Sequence, residues 1–419
     1  MWKFSEMFFI YNFFIKCYGF FIYIASFSNK KARLWIKGRK GLLEKIEENI
    51  LNYKKVVVFH CSSLGEFEQA RNLIEQFRVL YPDIKIMLTF FSPSGYEIRK
   101  NYKGADFIYY LPLDTAAAAE RFVNIVKPLA FFIVKYEFWF NLINCLHKNK
   151  IPVFAVSAIF RPNHYFFKCY GRWAKKQLEK ITYIFVQNEE SEQLLIDNCI
   201  NKISVSGDTR FDRVYAVLEA NRDFPVVKLF ASGKPVFIAG STWQKDEQII
   251  AVMFKKFKGK IKLIIAPHEV DSLHIRQIEE LFPQQAIRLS LASEENVNLY
   301  DILIIDSIGF LSHLYKYADI AYIGGGFGKG IHNILEAAVF SIPVLFGPNY
   351  HKFREALDLI ELGSAFKVSD SESLSQIVEK LIYDEEFRNE VSVISGEYVA
   401  NNTGATAYIL KNIEKYIEE

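Results

Sequence analysis

The sequence predicts an α/β protein built from two doubly wound parallel sheets, with a hydrophobic helix ahead of them. Three observations carry that expectation. Short β-branched and aromatic runs of strand length alternate with stretches whose apolar residues fall at helical spacing, the pattern of a parallel sheet covered on both faces. The pattern comes as two series, and 419 residues are enough for two domains of about 150–200 residues each. In front of both lies an apolar run of about twenty residues, the length that crosses a bilayer.

That run, Phe8 to Phe27, reads FFIYNFFIKCYGFFIYIASF and is broken only by Asn12 and Lys16. Lys30, Lys31, Arg33, Lys37, Arg39 and Lys40 follow it. By the positive-inside rule these charges place the following domain in the cytoplasm. A cleaved signal peptide would have a shorter apolar region and a small-residue cleavage site. The segment either spans the membrane or lies in its interface with Lys16 snorkelling to the headgroups. A core helix of the soluble body is the bland alternative.

Charge agrees with a membrane-facing end. Residues 1–60 hold 11 Lys/Arg against 4 Asp/Glu, so the net +3 hides a basic end on a slightly acidic body. An anionic membrane is the simplest partner, and no basic-aromatic array of a nucleic-acid binder accompanies it. At 51% hydrophobic and 24% charged the chain is a core-forming protein. Cysteines 17, 61, 145, 169 and 199 lack CxxC or His/Cys metal spacing. They read as buried small hydrophobes in a reducing compartment.

In the first series the expected strands are Lys54–His60, Ile84–Phe90, Phe107–Tyr110, Leu129–Val134, Val153–Val156 and Tyr183–Val186. The clearest helix is Phe67–Tyr81, with Ala70, Leu73, Ile74, Phe77 and Leu80 on one face. The second series begins near Pro235, with Val236–Ala239, Lys262–Ala266, Ile302–Ile305, Ile320–Ile323 and Pro343–Phe346. Residues 212–234, polar and carrying Pro225 and Gly233, read as the linker. The expected domains are 1–45 (anchor and basic flank), 46–220, and 221–419 with a closing helix. Ligands of such sheets bind outside the carboxyl ends of the strands, here in a cleft between the halves.

Two constellations stand at strand ends. His60-Cys61-Ser62-Ser63-Leu64-Gly65-Glu66-Phe67 is a small-residue loop that opens a helix. Glu66 suits the positive first turn as a capping carboxylate, which spacing alone favours. It equally suits a general base that takes a proton from an acceptor hydroxyl. The second, Ala321–Glu336, reads AYIGGGFGKGIHNILE: a strand, a glycine-rich loop, and a helix expected near His332. Glycines let backbone N–H groups approach a phosphate, and Glu336 can accept from ribose hydroxyls. It is neither a Walker A loop nor GxGxxG with its acidic partner. Other strand-end loops are Ser92-Pro93-Ser94-Gly95, Lys135-Tyr136-Glu137-Phe138-Trp139, Gly207-Asp208-Thr209-Arg210, Gly240-Ser241-Thr242 and Pro267-His268-Glu269. Each also reads as a plain cap or turn. Glu137, beside two aromatic residues, is the sharpest of them.

Taken in order, these motifs resemble the Kdo transferases, which attach 3-deoxy-D-manno-octulosonic acid to lipid A precursors in Gram-negative bacteria. SSLGEF is similar to the family's S-V-G-E loop, FSPSG to T-P-T-G, KYEFWFN to E-T-E-L-W-P-N and GDTRFD to G-N-L-K-F-D. AGSTWQKDE, GGGFGKGIHNILE and VLFGPNYHKFRE resemble A-G-S-T-H-x-x-E-E, the G-G-H-N-x-L-E region and G-P-x-x-x-N-F-x-E. The resemblance covers almost the whole chain. It implies two Rossmann-like domains of the glycosyltransferase B fold, inverting chemistry, CMP-Kdo as donor, a lipid A precursor as acceptor, and no metal or other cofactor. It implies Glu66 as the base, with Glu137 and Arg210 supporting the transition state. It assigns CMP binding to Pro267, His268, Ile308, Gly309, Phe310, Asn333, Ile334, Leu335 and Glu336.

The sequence departs from the family at several of these places. His268 stands where Arg is usual, Arg210 where Lys is frequent, Lys135 for Glu, Phe310 for Glu, and Ile331 for a glycine. Rival readings are a UDP-sugar transferase or UDP-GlcNAc 2-epimerase on the same fold, and a non-catalytic membrane scaffold. The first two differ in donor, and the last predicts no product with any donor.

Overall fold

The computed structural model describes residues 4–220 and 222–418, with the backbone alone for Phe4, Ser5 and Cys169. The outermost bounds of the expected domains, at 1–3, 221 and 419, lie outside the described residues. The chain divides into two compact units, Met1–Arg213 with Gly404–Glu419, and Val214–Thr403.

Unit 1 starts with helices α1 (Phe4–Ala25), α2 (Lys30–Arg39) and α3 (Leu42–Ile50). Its strands are β1 (Val56–Cys61), β2 (Lys85–Phe90), β3 (Phe107–Tyr110), β4 (Ala130–Val134), β5 (Val153–Ala158), β6 (Tyr183–Val186) and β7 (Ile203–Val205). They form one parallel sheet in the order β3-β2-β1-β4-β5-β6-β7. Every residue of β1 and β4 is buried, because helices cover both faces; hence continuous apolar runs rather than alternation. Helix α4 (Leu64–Leu80) follows β1 and buries Phe67, Ala70, Leu73, Ile74 and Phe77.

Unit 2 repeats the plan with β8 (Val236–Thr242), β9 (Lys262–Pro267), β10 (Ala286–Arg288), β11 (Ile302–Ile304), β12 (Ile320–Ile323), β13 (Val344–Phe346) and β14 (Ala365–Lys367). The order is β10-β11-β9-β8-β12-β13-β14, again all parallel. All eleven expected strands are present with bounds within two residues, except that β8 runs three residues further.

Three strands escape the sequence reading. β7, β10 and β14 are three residues each and lie at sheet edges, too short to show a period. The expected linker 212–234 is mostly helical, Thr209–Ala220 and Pro225–Phe230, with Pro225 at the start where its missing N–H costs nothing. Val214, Val217, Val227 and Phe230 on these helices are buried. The closing helix, Ala405–Ile417, packs with unit 1 rather than unit 2. The Asp212 carboxylate accepts the Gly404 and Thr406 N–H groups at 2.6 Å each, and Ile409 and Ile413 enter the core beside α4. Of the cysteines, Cys61 is buried, Cys17 and Cys145 are half-buried, and Cys199 is exposed, so the buried reading holds for one of the four whose side chains are described.

Candidate active site

In unit 1 the three candidate catalytic residues follow the carboxyl ends of β1, β4 and β7. Glu66 is the third residue of α4. The Ser63 N–H donates to its Oε2 at 2.6 Å and the Ser63 hydroxyl donates to the same oxygen at 3.0 Å. This is a capping box, so Glu66 does cap its helix. Both bonds fall on one carboxylate oxygen, which leaves capping and base chemistry compatible in a single side chain.

Glu137 stands beside it. Burial, the largest influence, raises its carboxyl above the usual range; a hydrogen bond from Ser62 opposes this, and the Glu66 charge adds to it. The two carboxylates therefore sense each other. Arg210 is held by Asp208, whose Oδ2 accepts from Nε and Nη2 at 2.8 Å each. Gln69 of α4 donates to Asp208 at 3.4 Å, and its carbonyl accepts the Thr209 hydroxyl at 2.6 Å. The helix that carries Glu66 thus also positions the Arg210 turn.

Beneath this loop lies a residue that the sequence reading left without a role. His60, buried in β1, accepts the Trp139 Nε1–H at its Nε2, 3.1 Å away. Trp can only donate, so the His60 proton sits on Nδ1 and donates to Thr89 Oγ1 at 3.0 Å. Burial pushes the imidazole down to about 3, and it is neutral at any working pH. The Trp139 ring lies 4.4 Å from Phe91. Phe91 in turn meets Tyr18 of α1 at 6.0 Å and Trp35 of α2 at 5.8 Å. Arg39 closes the group, 3.7 Å from the Trp35 ring centre, donating to the Leu111 and Phe91 carbonyls at 2.9 Å each. Burial lowers its guanidinium to about 9, which still leaves it charged at neutral pH. No spacing rule could have found these residues, since the His60–Trp139 pair is 79 positions apart.

In unit 2 the candidate nucleotide segments follow β9, β11 and β12. His268 and His332 stack at 4.2 Å with planes 22° apart. Trp243, after β8, lies 4.9 Å from His268 and donates its Nε1–H to His332 Nε2 at 3.2 Å. Burial and the neighbouring His268 lower His332 to about 4. A depression of about 370 Å³ opens here, lined by Trp243, Lys245, Glu269 and His274 among others. Asp246, also without a role in the sequence reading, fastens the floor: it accepts the Trp243 and Gly325 N–H groups at 3.0 Å each and the Tyr322 hydroxyl at 2.7 Å.

The glycine loop differs from expectation in two ways. The helix starts at Leu335, not His332, and runs only to Ala338. The preceding N–H groups are already engaged, Ile331 with Asn349 and His332 with Gly324. Two of the glycines serve close packing. A Cβ on Gly324 would come within 2.2 Å of the Ser241 carbonyl, and one on Gly326 within 2.6 Å of Gly347.

Pro267 is buried at the end of β9, with His268 exposed after it. Ile334 and Leu335 are fully buried, so their side chains are core, and the Leu335 N–H is taken by Asn333 Oδ1 at 3.2 Å. Asn333 also donates to Glu336 at 3.2 Å. Ile308 is 86% exposed, and Gly309 takes φ +95°, which only a glycine adopts without strain. Phe310 packs on Phe224 at 5.6 Å. The structure therefore joins the 267–268 and 332–336 segments through the histidine stack. Among the described residues no three His, Cys, Asp or Glu side chains gather as metal ligands.

Comparison with known proteins points to a family. Residues 35–213 match the family described as 3-Deoxy-D-manno-octulosonic-acid transferase (kdotransferase). The 3-deoxy-D-manno-octulosonic acid transferase of Haemophilus influenzae is 28% identical over 381 residues, 86% of this chain and 87% of that protein. The transferase of the same description from Aquifex aeolicus is 27% identical, over 82% of this chain and 91% of its own length. Residues 35–213 thus carry a Kdo transferase family domain, and the curated Kdo transferases match this chain over most of its length. It is a glycosyltransferase. Among solved structures, the UDP-GlcNAc 2-epimerase of Neisseria meningitidis bound to UDP-GlcNAc superposes with TM-score 0.61 at 16% identity, over 86% of this chain and all of that one. Acinetobacter baumannii MurG gives 0.55 at 12%, over 86% and 100%. At these identities the likeness is one of fold, the glycosyltransferase B type.

Proposed function

We propose that this Kdo-transferase-family enzyme moves Kdo from CMP-Kdo to a hydroxyl of a lipid A precursor, lipid IVA, at the cytoplasmic face of the inner membrane. The reaction belongs to lipopolysaccharide core synthesis and proceeds by a single inverting displacement. The observation that carries the lipid acceptor is the ring chain Tyr18–Phe91–Trp139–His60, which ties the apolar helix α1 to the loop before Glu66. An acceptor hydroxyl held at a lipid surface would arrive where that loop is anchored.

In this reading Glu66 takes the acceptor proton through the oxygen its cap leaves free. Glu137 and Arg210 offset charge that shifts during transfer. Unit 2 binds the donor. The exposed His268 ring offers a stacking surface, and Asn333 and Glu336 offer polar contacts. A CMP leaving group carries one phosphate, so we assign no metal to the step, and full activity in EDTA is expected. The four-residue helix at Leu335 is too short for a strong terminal dipole, so side chains and loop N–H groups carry the phosphate recognition.

The test is direct. Purified protein with CMP-Kdo and a tetraacylated lipid A precursor should give a product heavier by one or more Kdo residues, read by mass spectrometry. Transfer from UDP-sugars instead, or epimerisation of UDP-GlcNAc, would overturn the donor assignment. No product with any donor would favour a scaffold.

A further inference from the structure

Helix α1 is fastened to unit 1 along one face, and that fastening restricts how it can meet a bilayer. Phe8, Tyr11, Asn12, Ile15, Tyr18 and Gly19 recur at helical spacing on the fastened side. The Tyr11 hydroxyl donates to the buried Asp114 carboxylate at 2.6 Å and accepts the Phe140 N–H at 3.3 Å. Asn141 donates to Asn12 Oδ1 at 3.0 Å. Asp114 also accepts the Asn141 and Leu142 N–H groups at 2.9 Å each, so one carboxylate joins α1, the loop after β3 and the helix after β4. The Trp173 ring lies 5.0 Å from Phe8, and a Cβ on Gly19 would come within 2.7 Å of Leu113.

These contacts occupy about 16 Å of helix, at 1.5 Å per residue. A spanning helix needs about 30 Å of hydrocarbon around it. If α1 crossed the membrane with these contacts intact, the Asp114 loop and the start of the Phe140–Lys148 helix would enter hydrocarbon beside it, where irregular backbone facing lipid has no water to bond. The other side of the helix is apolar and free. Phe9, Phe13, Phe20, Phe21 and Ile24 project there, from 49% to 75% exposed. Lys16 on α1 and Lys30, Lys31 and Lys37 on the following α2 are exposed, whereas Arg39 is turned into the protein.

We propose that α1 does not cross the bilayer but lies along its cytoplasmic interface, its free aromatic face in the acyl boundary and these lysines on anionic headgroups. The proposal rests on the membrane reading above and adds the mode of attachment. The occupant is an anionic phospholipid surface, because exposed lysines together with an apolar face match that chemistry.

The test uses the full chain with a protease-cleavable tag at each end, in inside-out inner-membrane vesicles. Both tags should be removed from the outer, originally cytoplasmic, side while the protein stays bound. An N-terminal tag protected until detergent is added means a spanning helix and overturns the proposal. In parallel, the purified protein should sediment with phosphatidylglycerol vesicles, and about tenfold less with phosphatidylcholine alone. F13D/F20D, on the free face away from Asp114 and Glu66, should lower that binding about tenfold or more without changing the melting profile. Unaltered vesicle binding by this variant overturns the proposal. No sedimentation of the wild type with either lipid removes the membrane reading itself. A dimer that ignores vesicles and is dispersed by F13D/F20D assigns the face to a second copy.

Discussion

Unit 1 and unit 2 each hold a histidine near the carboxyl edge of the sheet by a tryptophan N–H, Trp139 to His60 at 3.1 Å and Trp243 to His332 at 3.2 Å. In both the indole can only donate, so the imidazole must accept and stay neutral. The surroundings then diverge. His60 is inside a strand, with Thr89 on its other nitrogen and no exposed surface. His332 sits in a loop, half-buried, and its ring lies flat against exposed His268. The same bond therefore serves shape in unit 1 and leaves an aromatic surface open in unit 2. A polar group closed on all sides fixes a loop, and one left open can meet a ligand.

The largest effect should come from the residue that the unit 1 device supports. Glu66→Gln should lower kcat by about 10²–10⁴-fold. Because glutamine also completes a capping box, the melting transition should barely move. CMP binding, assigned to unit 2, should be unchanged by calorimetry. Near-normal turnover would mean that Glu66 only caps its helix.

Next in size is the histidine itself. His60→Phe keeps the volume but strands the Trp139 N–H, at about 1–3 kcal/mol for a buried unpaired group, while the Thr89 hydroxyl keeps its bond to the Phe59 carbonyl. Denaturant melts should show this loss. His332→Phe should cost less, within about 1 kcal/mol, because water reaches its tryptophan partner. It should weaken CMP binding instead. Equal stability losses for the two variants would break the comparison.

Acid should separate them further. Each folded imidazole lies below its unfolded value, His60 at about 3 and His332 at about 4. The unfolded chain therefore binds more protons as pH falls below about 6.5. Stability from both is full above that pH and is lost progressively on the way down, over the wider window for His60. His60→Asn and His332→Asn should flatten the dependence of the unfolding free energy about equally from pH about 6.5 down to about 4, and His60→Asn alone should flatten it further between about 4 and 3.

Much of the fold was legible because parallel strands covered on both faces are written as continuous apolar runs; β1 and β4 could hardly be missed. The edge strands β7, β10 and β14 were not, since three residues carry no period. The start of α4 was legible, but the role of Glu66 was not. A carboxylate third in the helix satisfies the cap and suits a base equally, and the structure shows the cap in place. The helix near His332 starts later than expected because the Gly324, Gly325 and Asn349 carbonyls take the His332, Gly330 and Ile331 N–H groups and hold the chain in a non-helical loop up to that point. The Trp–His pairs and the Arg39 cage depend on residues brought together by the sheets. No local pattern reports them.

The smallest expected effect probes the open stack alone. The exposed His268 ring rests on His332 rather than inside the core. His268→Arg places a permanent charge there and keeps a planar group that can stack. Stability should stay within about 0.5 kcal/mol, the usual range for a surface change. A CMP phosphate beside the stack would gain a charge-assisted hydrogen bond, so binding should tighten a few-fold, and the gain should shrink as salt is raised. An unchanged CMP affinity would place the phosphate away from the histidines and leave the stack to the base or to packing. A large stability loss would mean that His268 is as closed in as His60, and the contrast between the units would disappear.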